Sequence, residues 1–344
     1  IDKDITEALE QLIKEAKIIT EDDQYFLAPS YHAEISVAQK ILSLAGQEPE
    51  VFDFDLETLI SNIEKNKNIT YTQTQKAAIM QAVQNPLSII TGGPGTGKTT
   101  IIDGVIQIYT ELHDLKRNDE YIDFKIALMA PTGRAAKRMQ ELLRMKAKTI
   151  HSHLGYDFDG SFAFHQGNPL PQRLVIIDEA SMIDVFLAKK LFDAISFSAK
   201  VIIVGDEDQL PSVGPGYFLG DLIASQAVPT VRLKEIHRQA KDSQIISLAQ
   251  AVNRQQLEYE DLQTTGDIII SKGDILTIRK GMLTSIELLI EKGYSLFDDI
   301  QVLIPMYKGD LGIDLVNKLI QERFNPNIKN SEKMVYNDKT FYLG

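Results

Sequence analysis

The run Ile89-Ile90-Thr91-Gly92-Gly93-Pro94-Gly95-Thr96-Gly97-Lys98-Thr99-Thr100 has the residue types that bind a polyphosphate. Gly92, Gly93, Gly95 and Gly97 let the backbone curl until successive N–H groups point at one anion, with Pro94 and Thr96 inside the same turn. A helix starting at Lys98 would add its positive N-terminal dipole. Lys98 supplies a point charge for the terminal phosphates. The Thr99 hydroxyl is placed to ligate Mg²⁺, and Thr100 ends the cradle. The spacing is G-x-x-x-x-G-K-[ST], with an apolar strand before it and the helical pattern Ile101–Tyr109 after it.

This chemistry also needs a carboxylate at the end of a neighbouring strand, and Leu174-Val175-Ile176-Ile177-Asp178-Glu179 supplies one. Asp178 can hold the Mg²⁺ shell, and Glu179 can accept a proton from the attacking water. Together the two motifs specify a nucleoside triphosphatase that works with Mg²⁺. They leave open what the energy is used for.

The elements that must position these groups are legible. Leu87–Thr91, Ile126–Ala130, Leu174–Ile177 and Val201–Val204 are continuous apolar runs separated by amphipathic helical stretches. That pattern predicts a parallel α/β sheet covered on both faces, spanning residues 69–236. Residues 1–68 predict a helical N-terminal region, with Ile5, Leu9, Leu12, Ile13 and Ala16 at helical spacing and a second pattern at Ile35, Ala38, Ile41 and Leu42. This region offers no chemistry and reads as a packing or partner module. Residues 237–344 predict an incomplete second unit of the same style, with a helix near Ser243–Asn253 and a strand at Ile300–Ile304.

Composition narrows the class. Hydrophobic residues make up 44% and charged residues 24%, ordinary for a globular protein. No apolar run approaches the roughly 18 residues of a membrane span, so no membrane partner is expected. With no cysteine, disulfides, thiolate metal sites and cysteine nucleophiles are excluded, and a cytoplasmic enzyme fits best. The net charge is −12. Between Lys125 and Lys148, however, seven bases face the single acid Glu141, a basic patch suited to gripping nucleic acid or to a solvated helix face. The start at Ile1 and the apolar finish Lys339-Thr340-Phe341-Tyr342-Leu343-Gly344 suggest an excised segment ending in an unfinished strand.

Further motifs carry a family resemblance. Asp178-Glu179-Ala180-Ser181 and Gly205-Asp206-Glu207-Asp208-Gln209-Leu210-Pro211 resemble motifs II and III of superfamily 1 helicases. The glycine-rich loop, Ala130-Pro131-Thr132-Gly133-Arg134, Thr149-Ile150-His151 and Arg232 through Ile236-His237-Arg238-Gln239 resemble the RecD-like branch (the exodeoxyribonuclease V alpha subunit family, superfamily 1B). The matches run in family order over roughly residues 70–325.

The resemblance implies a P-loop NTPase with a RecA-like parallel sheet, followed by a truncated second RecA-like domain, since motifs V and VI do not follow. It implies an ATP-dependent DNA helicase acting 5′ to 3′ on single-stranded DNA and junctions, in repair or recombination. Gln75 would read adenine, although an isolated helical glutamine is usually solvent-facing. Gln209 would sense the γ-phosphate or attacking water, and Arg238 would reach into the ATP cleft as a planar phosphate clamp. Thr132, Gly133, Arg134, Thr149 and His151 would hold DNA.

Tyr156-Asp157-Phe158-Asp159-Gly160-Ser161-Phe162-Ala163-Phe164 predicts a hairpin within an insertion near 155–166. The resemblance makes it a strand-separating pin in which Phe162 and Phe164 meet DNA; the alternative packs those rings on their own domain. Absence of the motif VI arginine predicts that these 344 residues bind ATP but hydrolyse it slowly. Competing readings are the helicase part of a conjugative relaxase and a non-catalytic DNA- or partner-binding subunit with a vestigial ATP site.

Overall fold

A computed structural model describes residues 2–52, 55–233, 243–264, 266–325, 332–336 and 339–342. The chain divides into two compact units, Ile1–Asp242 and Ser243–Gly344.

The first unit opens with α1 (Asp2–Lys14), the antiparallel pair β1 (Ile18–Glu21) and β2 (Gln24–Leu27), then α2 (Ala28–Ala45), α3 (Leu56–Lys67) and α4 (Gln73–Gln84). There follow β3 (Leu87–Gly92), α5 (Lys98–Leu112), β4 (Ile126–Ala130), α6 (Gly133–Leu143), β5 (Lys148–Thr149) and α7 (Ile150–His153). The unit closes with β6 (Leu174–Ile177), α8 (Val185–Ala194), β7 (Lys200–Gly205), α9 (Phe218–Ala224) and β8 (Thr230–Leu233). Six of the strands form one parallel sheet in the order β5-β4-β6-β7-β3-β8.

The four apolar runs become β3, β4, β6 and β7, buried on both faces. Because successive strand residues point to opposite faces, each strand feeds two cores. Leu87, Ile89, Ala127, Met129, Val175, Ile177, Val201 and Ile203 pack on one side. Ile90, Ile126, Leu128, Leu174, Ile176, Ile202 and Val204 pack on the other. The short strands β5 and β8 were not anticipated; at two and four residues they carry too little pattern to announce themselves.

The N-terminal region divides its helices between the two cores. Helix α2 buries Val37, Ile41 and Leu44 against the first, and α3 buries Leu56, Ile60 and Ile63 in the second. The buried face of α2 is offset from the predicted stripe, since Ile35 and Leu42 are exposed. Residues 28–67 are therefore built into the sheet unit. Truncating fully buried Leu44 or Ile60 to Ala would cost about 2–5 kcal/mol. On α1, by contrast, Ile5 and Ile13 are exposed.

The second unit contains α10 (Gln244–Asn253), α11 (Ile275–Glu291), α12 (Ile313–Phe324) and the antiparallel pair β9 (Lys333–Tyr336) and β10 (Lys339–Tyr342). Ion pairing of Arg323 with Glu287 ties α12 to α11. The predicted helix near Ser243–Asn253 is α10. The predicted strand Ile300–Ile304 is irregular, with Leu303 exposed, because no described strand lies beside it to take its backbone groups. The apolar segment at Lys339–Tyr342 is a paired strand.

Candidate nucleotide-binding and active site

Each element ends where it can present a polar group to one cavity. Strand β3 delivers the chain into the glycine loop, where Gly95 (φ +76°) and Gly97 (φ +88°) occupy the left-handed region that side chains avoid. A Cβ on Gly92 would lie 2.8 Å from the Leu233 carbonyl oxygen, so the loop passes close under β8. The Thr96 hydroxyl donates to Gly93 O at 2.8 Å and braces the turn. The Lys98 ammonium donates to Gly92 O and, at 3.1 Å, to Gly93 O.

The loop, Lys98, Thr99 and Thr100 line a cavity of about 730 Å³ together with Asp178, Glu179 and Gln209. The carboxylates do not come from the strand next to β3. Strand β7 lies between β3 and β6, and it ends in Gly205, where a Cβ would lie 2.6 Å from Leu219 Cδ2 and 3.3 Å from Ala180 N. The extra strand spaces Lys98 and the acids across a gap wide enough for a polyphosphate, since neighbouring strands are about 4.8 Å apart.

Asp178 accepts the Glu179 N–H through Oδ1 at 2.9 Å. Burial pushes its carboxyl up to about 6, while the positive charges of Lys98 and Arg138 pull the other way. Burial likewise raises Asp206, again opposed by Lys98. Glu179 has φ +54°, a left-handed conformation that costs a residue with a side chain about 1–2 kcal/mol. This turn places the Glu179 side chain in the cavity wall. A buried carboxylate and a threonine hydroxyl lining one cavity are hard oxygen donors, which suit Mg²⁺. Asp178 and Thr99 would hold the ion, which when bound neutralises phosphate charge.

Gln75 is 4% exposed and both ends of its amide are engaged. Its Oε1 accepts the Thr72 N–H at 3.0 Å, completing a capping box at the start of α4, and its Nε2 donates to Thr96 O at 3.1 Å. Here it latches the phosphate loop onto α4. Gln209 accepts from the Ser181 hydroxyl at 3.3 Å, joining the two motif segments. Arg238 lies outside the described residues.

Thr132 and Thr149 each cap the helix that follows, accepting Ala135 N at 3.3 Å and Ser152 N at 3.1 Å. Their strands are adjacent, with Ala130 paired to Thr149, so both segments emerge side by side. Gly133, Arg134 and His151 are exposed there. The 155–166 segment folds back on itself through the Tyr156–Phe162 bridge, and Asp157 N donates to Ser161 O at 3.0 Å. Phe162 and Phe164 pack against the first core, and His151, Tyr156 and Phe162 form an aromatic cluster with centroids 5.0–6.0 Å apart. Phe158, at the turn, is the fully exposed ring.

Sequence reasoning did not assign Arg138, Lys67 or Asp103 to this cavity, which all three line. The basic run containing Arg138 was visible, but its direction depends on how α6 packs. The Lys67–Asp103–Arg117 ion cluster joins α3, α5 and the segment after α5.

Residues 75–215 match the AAA domain family model. The chain is 35% identical over 256 residues to the ATP-dependent RecD2 DNA helicase of Deinococcus radiodurans, covering 74% of this chain and 33% of that protein. It is 37% identical over 173 residues to the RecBCD enzyme subunit RecD of Haemophilus influenzae, covering 44% of this chain and 26% of that one. The chain is RecD-like.

It spans about a third of the length of the D. radiodurans relative. The Pif1 helicase of Candida albicans superposes with a TM-score of 0.43 at 20% identity, over 64% of this chain and 55% of that one. The six-stranded parallel sheet of the RecD-like chain, with the glycine loop following β3, is the P-loop, RecA-like arrangement expected from its motifs. Among its described residues, no helix is long and apolar enough to cross a membrane.

Proposed function

We propose that this chain is part of an ATP-driven DNA helicase motor that, as the full-length protein, translocates on single-stranded DNA. The observation that carries the reading is the single cavity lined by Lys98, Thr99, Asp178, Glu179 and Gln209. In this reading the loop N–H groups and Lys98 hold the polyphosphate. Glu179 orients and deprotonates water, and Gln209, tied to Ser181, relays the state of the site. DNA phosphates meet Thr132, Gly133, Arg134, Thr149 and His151, which leave the sheet on adjacent strands. Gln75 tunes the adenine end through its latch on the loop, and Arg238 completes the phosphate clamp. The 5′-to-3′ direction, action on junctions and a role in repair or recombination belong to the same proposal. So does a protein partner docking on the N-terminal region, where α1 exposes Ile5 and Ile13.

The test is Mg²⁺-dependent ATP affinity, followed by turnover of the full-length protein with and without single-stranded DNA. Lys98→Ala should weaken ATP binding at least tenfold. Glu179→Gln should bind ATP like the parent while losing about 10²-fold or more in turnover. Undiminished turnover by Glu179→Gln, or undiminished ATP binding by Lys98→Ala, would overturn the reading.

A further inference from the structure

The strands that end at the nucleotide cavity begin at a second one, of about 420 Å³, roughly 15–20 Å away along the sheet. Its polar lining is basic. Lys125 precedes β4, Arg173 precedes β6 and Lys200 opens β7, and these strands are neighbours. Their backbones are laced together: Arg173 N donates to Lys125 O at 3.0 Å, and Lys200 N donates to Arg173 O at 2.7 Å. The three strand starts thus bring all three cations to the lining of one cavity, where they share a single carboxylate, Glu50.

Lys200 is already occupied. It donates to Val83 O at 2.6 Å and Asn85 O at 3.1 Å, with Glu50 at 3.6 Å. Lys125 and Arg173, in contrast, have no side-chain hydrogen bond or ion pair among the described residues. An independent observation comes from Tyr109. This residue is 7% exposed and lines the cavity, yet its hydroxyl has no hydrogen-bond partner among the described residues. The His113 ring lies against it, with centroids 4.3 Å apart. The ring is buried, while the hydroxyl keeps access to the cavity and is free to donate to a ligand there. Here the O–H donor and two unpaired cations line the same space.

We infer that this cavity binds a phosphate group, presented by a free polyphosphate or nucleotide or by the backbone of a DNA strand. Arg173 offers a planar fork and Lys125 a point charge, Tyr109 donates a neutral hydrogen bond, and Glu50 keeps Lys200 in place. On a chain with net charge −12, such a cluster is the kind of local positive field that an anion would select.

The test uses the whole chain and two probes: inorganic pyrophosphate by calorimetry, in a Lys98→Ala background that silences the phosphate loop, and a labelled oligothymidylate by anisotropy across a salt series. The variants are Lys125→Glu with Arg173→Glu, both exposed positions, and separately Tyr109→Phe, which keeps the ring. Loss of pyrophosphate binding by about tenfold or more, with oligothymidylate unaffected, assigns the site to free phosphates. A weaker oligothymidylate complex whose log–log salt slope falls by about 1.4, as for two lost phosphate contacts, assigns it to DNA. Should the double variant fail to fold, a loss of about tenfold in either affinity by Tyr109→Phe supports the site. Unchanged affinity for both probes, in a folded double variant or in Tyr109→Phe, overturns the inference.

Discussion

Asp178 sets stability against function in a way that one substitution can expose. Its carboxyl is raised from the ordinary value of 3.8 to about 6, chiefly by burial. At about 1.4 kcal/mol per tenfold change in proton affinity, that rise corresponds to about 3 kcal/mol. Partial exposure to the cavity screens part of it, leaving about 2 kcal/mol. The folded value lies above the unfolded one, so the penalty is fully present above about pH 6. It fades as the pH falls from there and is lost below about 3.8, once both states are protonated. Asp178→Asn keeps the oxygen that accepts the Glu179 N–H and removes the charge. The nucleotide-free variant should therefore be more stable than the parent by about 2 kcal/mol at pH 8, and the gain should shrink toward zero by about pH 4. The chain has no tryptophan, so urea denaturation in EDTA would be followed by far-UV circular dichroism. The same variant should lose Mg²⁺-dependent ATP affinity. A destabilised variant at pH 8, or a stability difference that does not change with pH, would refute the claim that Asp178 is held ionised against its surroundings for the sake of a ligand.

Gln75→Ala should remove the latch to Thr96 and half of the capping box, costing about 1–2 kcal/mol in thermal unfolding and about tenfold in ATP affinity. If the amide only latches the loop, the ratio of ATP to GTP affinity stays unchanged; a collapse of that ratio would show that the amide reads adenine. Gly104→Ala should destabilise by about 1–3 kcal/mol despite the better helix propensity of alanine. The new Cβ would sit 2.7 Å from Tyr71 Oη and 3.0 Å from Ile79 Cδ1, and overpacking outweighs a propensity gain of about 1 kcal/mol. Phe158→Ser should leave the melting temperature unchanged while reducing unwinding of a forked duplex by the full-length protein. Phe162→Ser should lower the melting temperature first, because that ring packs on the core.

The phosphate loop, the paired acids and four central strands were readable from the residues because each is a local signal. Glycines at fixed spacing serve one turn, and an unbroken apolar run serves a strand buried on both faces. The tertiary structure decided what depends on distant partners. Strand order put β7 between Lys98 and Asp178, and burial then raised Asp178. Packing divided α2 and α3 between two cores and turned Phe162 inward. Gln75 found Thr96, and the starts of three neighbouring strands brought Lys125, Arg173 and Lys200 to one cavity with Tyr109. The environment of each of these side chains is set by groups tens of residues away, so local periodicity carries no trace of it.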